Sequence, residues 1–180
     1  MVSAMPNTLQ LAGLMLFMSL ATSASATRTF DRNRLMSEGE VYAVALHDSY
    51  VAEARGPHVD AGVAHFFNGR AIEIENGSEI SPAKPSAFPI ADPSMAARLE
   101  WAFQETSDTV ESEAADVEPY LTANVEIAYE HWLIAVHDDP KAADAEKLAQ
   151  AFDERLNDLT ASPKISALES ARELDVASRP

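Results

Sequence analysis

The sequence predicts an all-α protein of about five antiparallel helices, arranged as a bundle or a helical-hairpin array, with one proline-rich irregular segment. Three observations carry this expectation. Apolar residues recur at three- and four-residue spacing along most of the chain, whereas the period-two alternation of half-buried strands is scarce. Pro82, Pro85, Pro89 and Pro93 gather in one place instead of interrupting the periodic stretches. Short connections then join two pairs of helical stretches, and short connections make antiparallel neighbours.

The chain opens with an apolar run, Leu9 to Leu20, too short as a helix to cross roughly 30 Å of hydrocarbon. It has the length of a signal-peptide core, and Ala24-Ser25-Ala26 supplies the small-x-small pattern of a cleavage site. Met1 to Thr8 carries no Lys or Arg, so a buried N-terminal helix is the competing reading. The Ser/Ala/Thr-rich stretch directly after the run favours export. Residues 1–26 are thus expected to be a removed signal, and residues 27–39 a lead-in. A helical domain follows over 40–160, with a short helix and tail over 161–180. Removal leaves about 154 residues, within the size of a single domain. The destination is periplasmic or secreted.

The sequence has no cysteine. Lipid anchoring through a modified cysteine is therefore excluded, and stability must come from packing without disulfides. The signal segment has no charged side chain, so the formal charge of −16 belongs to the mature part. Such a surface repels nucleic acid and anionic membrane, and favours cationic partners. No second apolar stretch approaches spanning length, so no integral membrane span is expected after signal removal.

Arg28 to Arg34 reads as a basic and polar lead-in. Ser37 and Glu40 stand in capping-box spacing, and Val41, Tyr42, Val44, Ala45, Leu46 and Tyr50 then mark a helix that Gly56-Pro57 stops. A second helix is expected from about Asp60, with Val63, Phe66, Phe67, Ile72 and Ile74 as its apolar residues, ending at Asn76-Gly77. Gly62 and Gly69 weaken it, and strand character over 71–74 is the alternative. Residues 81–93 form the irregular segment, with Phe88 and Ile90 set to lie against the core. Asp92-Pro93 begins a third helix as N-cap and first-turn proline, with Met95, Leu99, Ala102, Phe103, Thr106 and Val110 along one side. The polar patch Glu111 to Asp116 is either an exposed helix end or a loop. The strongest periodicity follows over residues 117–136, where Leu121, Val125, Ala128, Trp132 and Val136 recur every three or four residues. Asp139-Pro140 ends this helix and begins a fifth, whose buried face is Leu148, Phe152, Leu156 and Leu159. Pro163 interrupts, and residues 164–177 form a short, weakly apolar helix.

Catalytic and metal-binding patterns are missing from these elements. The histidines are His47, His58, His65, His131 and His137; none is followed by Glu, and none lies three residues after a Glu. The zinc-protease and di-iron patterns are thus missing. His137 with Asp138 and Asp139 suits a weak surface cation less well than a histidine placed at a helix C-terminus. There is no Gly-x-Ser-x-Gly elbow and no Gly-rich phosphate loop. Carboxylate pairs such as Glu111/Glu113 and Asp138/Asp139 read as solvated surface, and Asn76-Gly77-Ser78 as a turn before a glycosylation sequon. No catalytic residue, metal ligand or cofactor is expected. The aromatics remain: Trp101, Phe103, Tyr129 and Trp132 either join one core or line a groove for a peptide, glycan or lipid.

Residues 40 to 159 carry further signals: Asp60-Ala61 with Phe66 to Ile72, Ile90-Ala91-Asp92 leading into Ala96-Ala97-Arg98-Leu99, and Ala128-Tyr129-Glu130-His131-Trp132 followed by Phe152 and Leu156. On these the chain resembles the helical N-terminal region of certain OmpA-like envelope proteins of Gram-negative bacteria. In that family the aromatic helix has a cysteine where His131 stands here, and a second cysteine near Leu148. Both are absent together, as are the lipid-bearing cysteine and the C-terminal peptidoglycan-binding domain. The resemblance implies envelope location and a helical, protein-facing role, without the peptidoglycan grip.

The functional expectation is a non-enzymatic interaction or structural module of the cell envelope, with an envelope protein as partner. The alternative is a small-ligand carrier holding a lipid, peptide or cation in an aromatic-lined cleft. Oligomeric state is left open.

Overall fold

The computed structural model describes residues 30–37, 40–57, 59–78, 81–138 and 144–177. The signal-peptide features over 1–26 and the Asp139-Pro140 helix start lie outside them. Among the described residues the protein is all-helical, with no strand. Eight α-helices occur, where about five were expected. They are α1 (Arg32–Ser37), α2 (Val41–Ala54), α3 (Ala61–Glu75), α4 (Pro93–Glu111), α5 (Ala114–Val117), α6 (Pro119–Asp138), α7 (Ala145–Thr160) and α8 (Pro163–Ala177). The additional ones are short or terminal. The lead-in holds α1, which Arg32 ties to Asp48 of α2, and the polar patch after α4 holds α5, which buries Ala114 and Ala115.

The α2 start lies later than the Ser37–Glu40 spacing suggests. Ser37 ends α1, while Glu40 occupies the N-cap of α2 without a side-chain cap bond, and its N–H donates to Leu35 O at 2.9 Å. The chain turns between two helices there, so the Ser37–Glu40 spacing straddles a boundary. Two other starts follow the sequence. Asp60 Oδ1 accepts from Gly62 N–H at 2.7 Å and Asp92 Oδ1 from Ser94 N–H at 2.8 Å, each satisfying an orphan donor of α3 or α4. The α3 stop is a Schellman turn. Gly77 takes φ 74°, its N–H donates to Ile74 O, and Ser78 N–H reaches back to Glu73 O. The 71–74 stretch is helix; Ala71 and Ile74 are buried, but Ile72 is 53% exposed, against expectation.

Helix α6 is the axis of the fold, packing against α2, α4, α5 and α7 and more lightly against α3. One core lies on its α4/α7 side: Leu99, Val125, Tyr129, Trp132, Leu133, Val136 and Phe152. The other lies on its α2/α3 side: Leu46, Tyr50, Val63, Phe67, Ala123, Ile127 and Ile134. The irregular segment, residues 81–92, contains a 3₁₀ turn at Pro85–Ala87, and its Phe88 packs against both cores. At the far end, Ser162 Oγ and Lys164 Nζ hold Glu118, fixing the start of α8 beside α6. The distal part of α8 is exposed, including Leu174 and Val176. No helix among the described residues is long and apolar enough to cross a membrane.

Candidate functional site

The aromatics singled out from the sequence separate by burial. Tyr129 and Trp132 are buried, at 0% and 2% exposure, in the α4/α6/α7 core. Their rings stand 6.5 Å and 6.3 Å from that of Phe152. Trp101 is 49% exposed and meets Phe152 edge-on at 5.9 Å. Phe103 is half-buried and lines an outer cleft of about 740 Å³ between α4 and the irregular segment, with Lys84, Gln104, Ser107 and Glu111 around it. The four do not converge on one cleft.

A larger groove, of about 890 Å³, opens where the ends of α2 and α6 meet the beginnings of α3 and α7. Its apolar surface comes from Val59, Val63, Ala135, Leu148 and Ala151. Among the described residues its polar surface is mostly acidic: Glu53, Asp60, Asp138 and Asp144, with His131 and Lys147 beside them. Lys147 is already held by Asp144 one turn away at 2.5 Å. Glu53 accepts from His131 at 3.1 Å, and that hydrogen bond holds its carboxyl below the ordinary value despite partial burial. Asp60 and Asp138 converge on the bare face of Gly62. A Cβ there would stand 3.1 Å from Asp138 Oδ2 and 3.2 Å from Asp60 Oδ1, so glycine leaves room for both carboxylates beside the start of α3. A groove of this kind attracts a cation carried on an apolar stem.

Sequence reasoning missed the most unusual polar feature. Glu126 and Glu130, one turn apart on α6, are both 0% exposed, whereas carboxylates had been read as solvated surface. Glu126 accepts from Tyr42 and from Tyr50 at 2.9 Å, both on α2. Arg70 of α3 reaches Glu126 at 3.3 Å, Glu130 at 2.9 Å and the carbonyl of Ser81 at 2.7 Å. Glu130 Oε1 also accepts from Ala83 N–H at 3.0 Å, and the Tyr129 hydroxyl donates to Ala83 O. Glu130 Oε2 has no partner among the described residues. Burial, followed by the charge of Glu126, pushes the Glu130 carboxyl up to about 8. Burial raises Glu126 too, against the lowering effect of its donors. Both tyrosines are driven well above their usual value by burial and then by Glu126, so they remain donors. The available signal was two acids, Glu126 and Glu130, one helical turn apart inside the otherwise uncharged run 119–136 of α6.

Neither buried carboxylate lines either cavity. Among the described residues no three His, Asp or Glu side chains gather as a metal site. The chain matches no protein-family model, no curated protein and no solved structure.

Proposed function

We propose that the mature chain is an exported, non-enzymatic helical module of the cell envelope that binds a partner protein through the groove between α2–α3 and α6–α7. One observation carries this reading: an open groove with an apolar floor and, among the described residues, four carboxylates against one lysine, on a protein of net charge −16. Its complement is a basic segment whose aliphatic stems lie on Val63 and Leu148 and whose cationic head sits between Asp60 and Asp138. The long helices are taken as an antiparallel array, and cleavage after Ala26 as the route of export. His131, at the first cysteine position of the OmpA-like resemblance, and Leu148, near the second, both line this groove, which supports envelope kinship.

The test is titration of a short amphipathic lysine/arginine peptide, followed by amide shifts. Saturable binding with shifts at Gly62, Ala135 and Leu148, weakened by salt and by an Asp60→Asn/Asp138→Asn pair, is the expected result. Binding that ignores both salt and the substitutions overturns it. N-terminal sequencing of protein from the envelope fraction should begin at or near Thr27; a full-length cytoplasmic product ends the export reading. The alternative, a small-ligand carrier, draws on the Phe103 cleft with its ring of polar groups. Shifts confined to that cleft with apolar or zwitterionic small molecules would favour it.

A further inference from the structure

We propose that Glu126 and Glu130 form a buried proton-binding site that controls whether the segment 81–92 stays seated on the helices. The groups facing the pair come from every element around it. Helix α2 presents Tyr42 and Tyr50, both hydroxyl donors. Helix α3 presents Arg70, the single cation at the pair among the described residues, whose Nη1 is shared with the exposed Glu73 at 3.2 Å. Helix α6 itself adds Tyr129, with the exposed Glu100 of α4 beyond it. The segment 81–92 contributes backbone only, through Ser81 O and Ala83 N–H, and its charged side chains Lys84 and Asp92 are exposed.

Two carboxylates face one guanidinium, so the cluster is neutral only while the pair keeps one proton. The hydrogen bonds say where that proton sits. Glu126 accepts from three side chains with both oxygens, as an ionised carboxylate does. Glu130 accepts only at Oε1 and leaves Oε2 without a donor, so its charge is the less stabilised of the two and it is the one that takes the shared proton. The raised titration of Glu130 agrees with this placement. When the proton leaves, an uncompensated charge remains in a sealed site, and only water can relieve it.

Three sides of the site are helices. The fourth is the segment 81–92, whose Pro82, Pro85 and Pro89 remove its own N–H donors. Its seating combines the packing of Pro82, Pro85 and Phe88 with the bonds from Arg70 to Ser81, from Ala83 to Glu130 and from Tyr129 to Ala83, and only the bonds respond to the charge of the pair. Lifting it admits water to Glu130 without unwinding a helix. Opening is thus coupled to release of one proton.

Amide hydrogen exchange from pH 5 to 9, corrected for the intrinsic pH dependence of exchange, tests this on the whole chain. The open form titrates near the ordinary carboxylate value of 4.5 and the closed form near 8. Protection of Ala83 and its neighbours in 81–92 should therefore fall about tenfold per pH unit through that range and level off above it. Glu130→Gln, a neutral isostere of the protonated acid, should flatten the profile. Equal profiles in both proteins overturn the proposal. So does exchange of 81–92 through the same global opening as α6. Should Glu130→Gln fail to fold, carbon-13 carboxyl titration of the unmodified protein decides. Titration of Glu130 in the ordinary carboxylate range overturns the proposal, and titration well above it supports it.

Discussion

At the scale of residues, the protein combines deep aromatic burial with a charge problem. Burial raises the Glu130 carboxyl to about 8, which favours the protonated form in the fold at neutral pH, whereas the unfolded chain ionises it. Between 4.5 and about 8 the folded form therefore holds one proton more, and stability falls as pH rises. The contribution is fully present below the unfolded value and lost by the time pH passes the folded one. The slope for one proton is at most about 1.4 kcal/mol per pH unit. Denaturant melts from pH 5 to 8 should show this decline, and Glu130→Gln should be less steep by that amount; parallel curves would mean that Glu130 is ionised in the fold. Trp132 poses a second test at this scale. Its 2% exposure and its packing on Phe152, with Arg98 5.2 Å above the ring, place a large aromatic side chain inside the core. Trp132→Ala should cost about 3–5 kcal/mol, and an unchanged melting temperature would contradict the packing described.

At the scale of elements, the helices were legible where local chemistry sets them and obscure where it does not. Caps and stops act within a few residues, so Asp60, Asp92-Pro93 and Asn76-Gly77 could be read directly. Asp92→Ala removes the acceptor for Ser94 N–H and should cost about 0.5–2 kcal/mol in chemical denaturation; no measurable change would show that the α4 start is held by packing alone. The periodic faces of α6 and α7 were equally plain, because Val125, Trp132, Val136, Phe152 and Leu159 keep one side of their helices. What the periodicity concealed is that α6 is buried on two sides. Ala123, Ile127 and Ile134 form its second apolar face, and the acids Glu126 and Glu130 sit among them. An isolated pattern cannot separate an acid facing water from one facing an arginine on α3, since Arg70 lies 56 residues from Glu126 in sequence. The groove was hidden for the same reason, being assembled from the ends of separate helices. The lead-in helix α1 and the turn α5 are too short for a period to declare itself.

At the scale of the whole molecule, two apolar cores share one helix. The tryptophans report on only one of them: Trp132 lies in the α4/α7 core and Trp101 rests on Phe152. Phe67 belongs to the other, at 0% exposure, beside Tyr50 at 5.7 Å and Phe66 at 5.3 Å. If the cores were independent units, a lesion at Phe67 would leave tryptophan emission unaffected until the second unit melted. The structure argues otherwise, because α6 supplies Ala123, Ile127 and Ile134 to one core and Val125, Tyr129 and Trp132 to the other. Phe88 adds a second link by touching both. Losing the α2/α3 layer would expose Ala123, Ile127 and Ile134 to water, so α6 cannot keep one side folded while releasing the other at no cost. Phe67→Ala should therefore lower the midpoint read by tryptophan emission and by far-ultraviolet circular dichroism together, by roughly 6–20 °C for a loss of about 3–5 kcal/mol. A tryptophan transition that stays at its original midpoint while the dichroism transition shifts would divide the protein into two cooperative units, with α6 no longer coupling them.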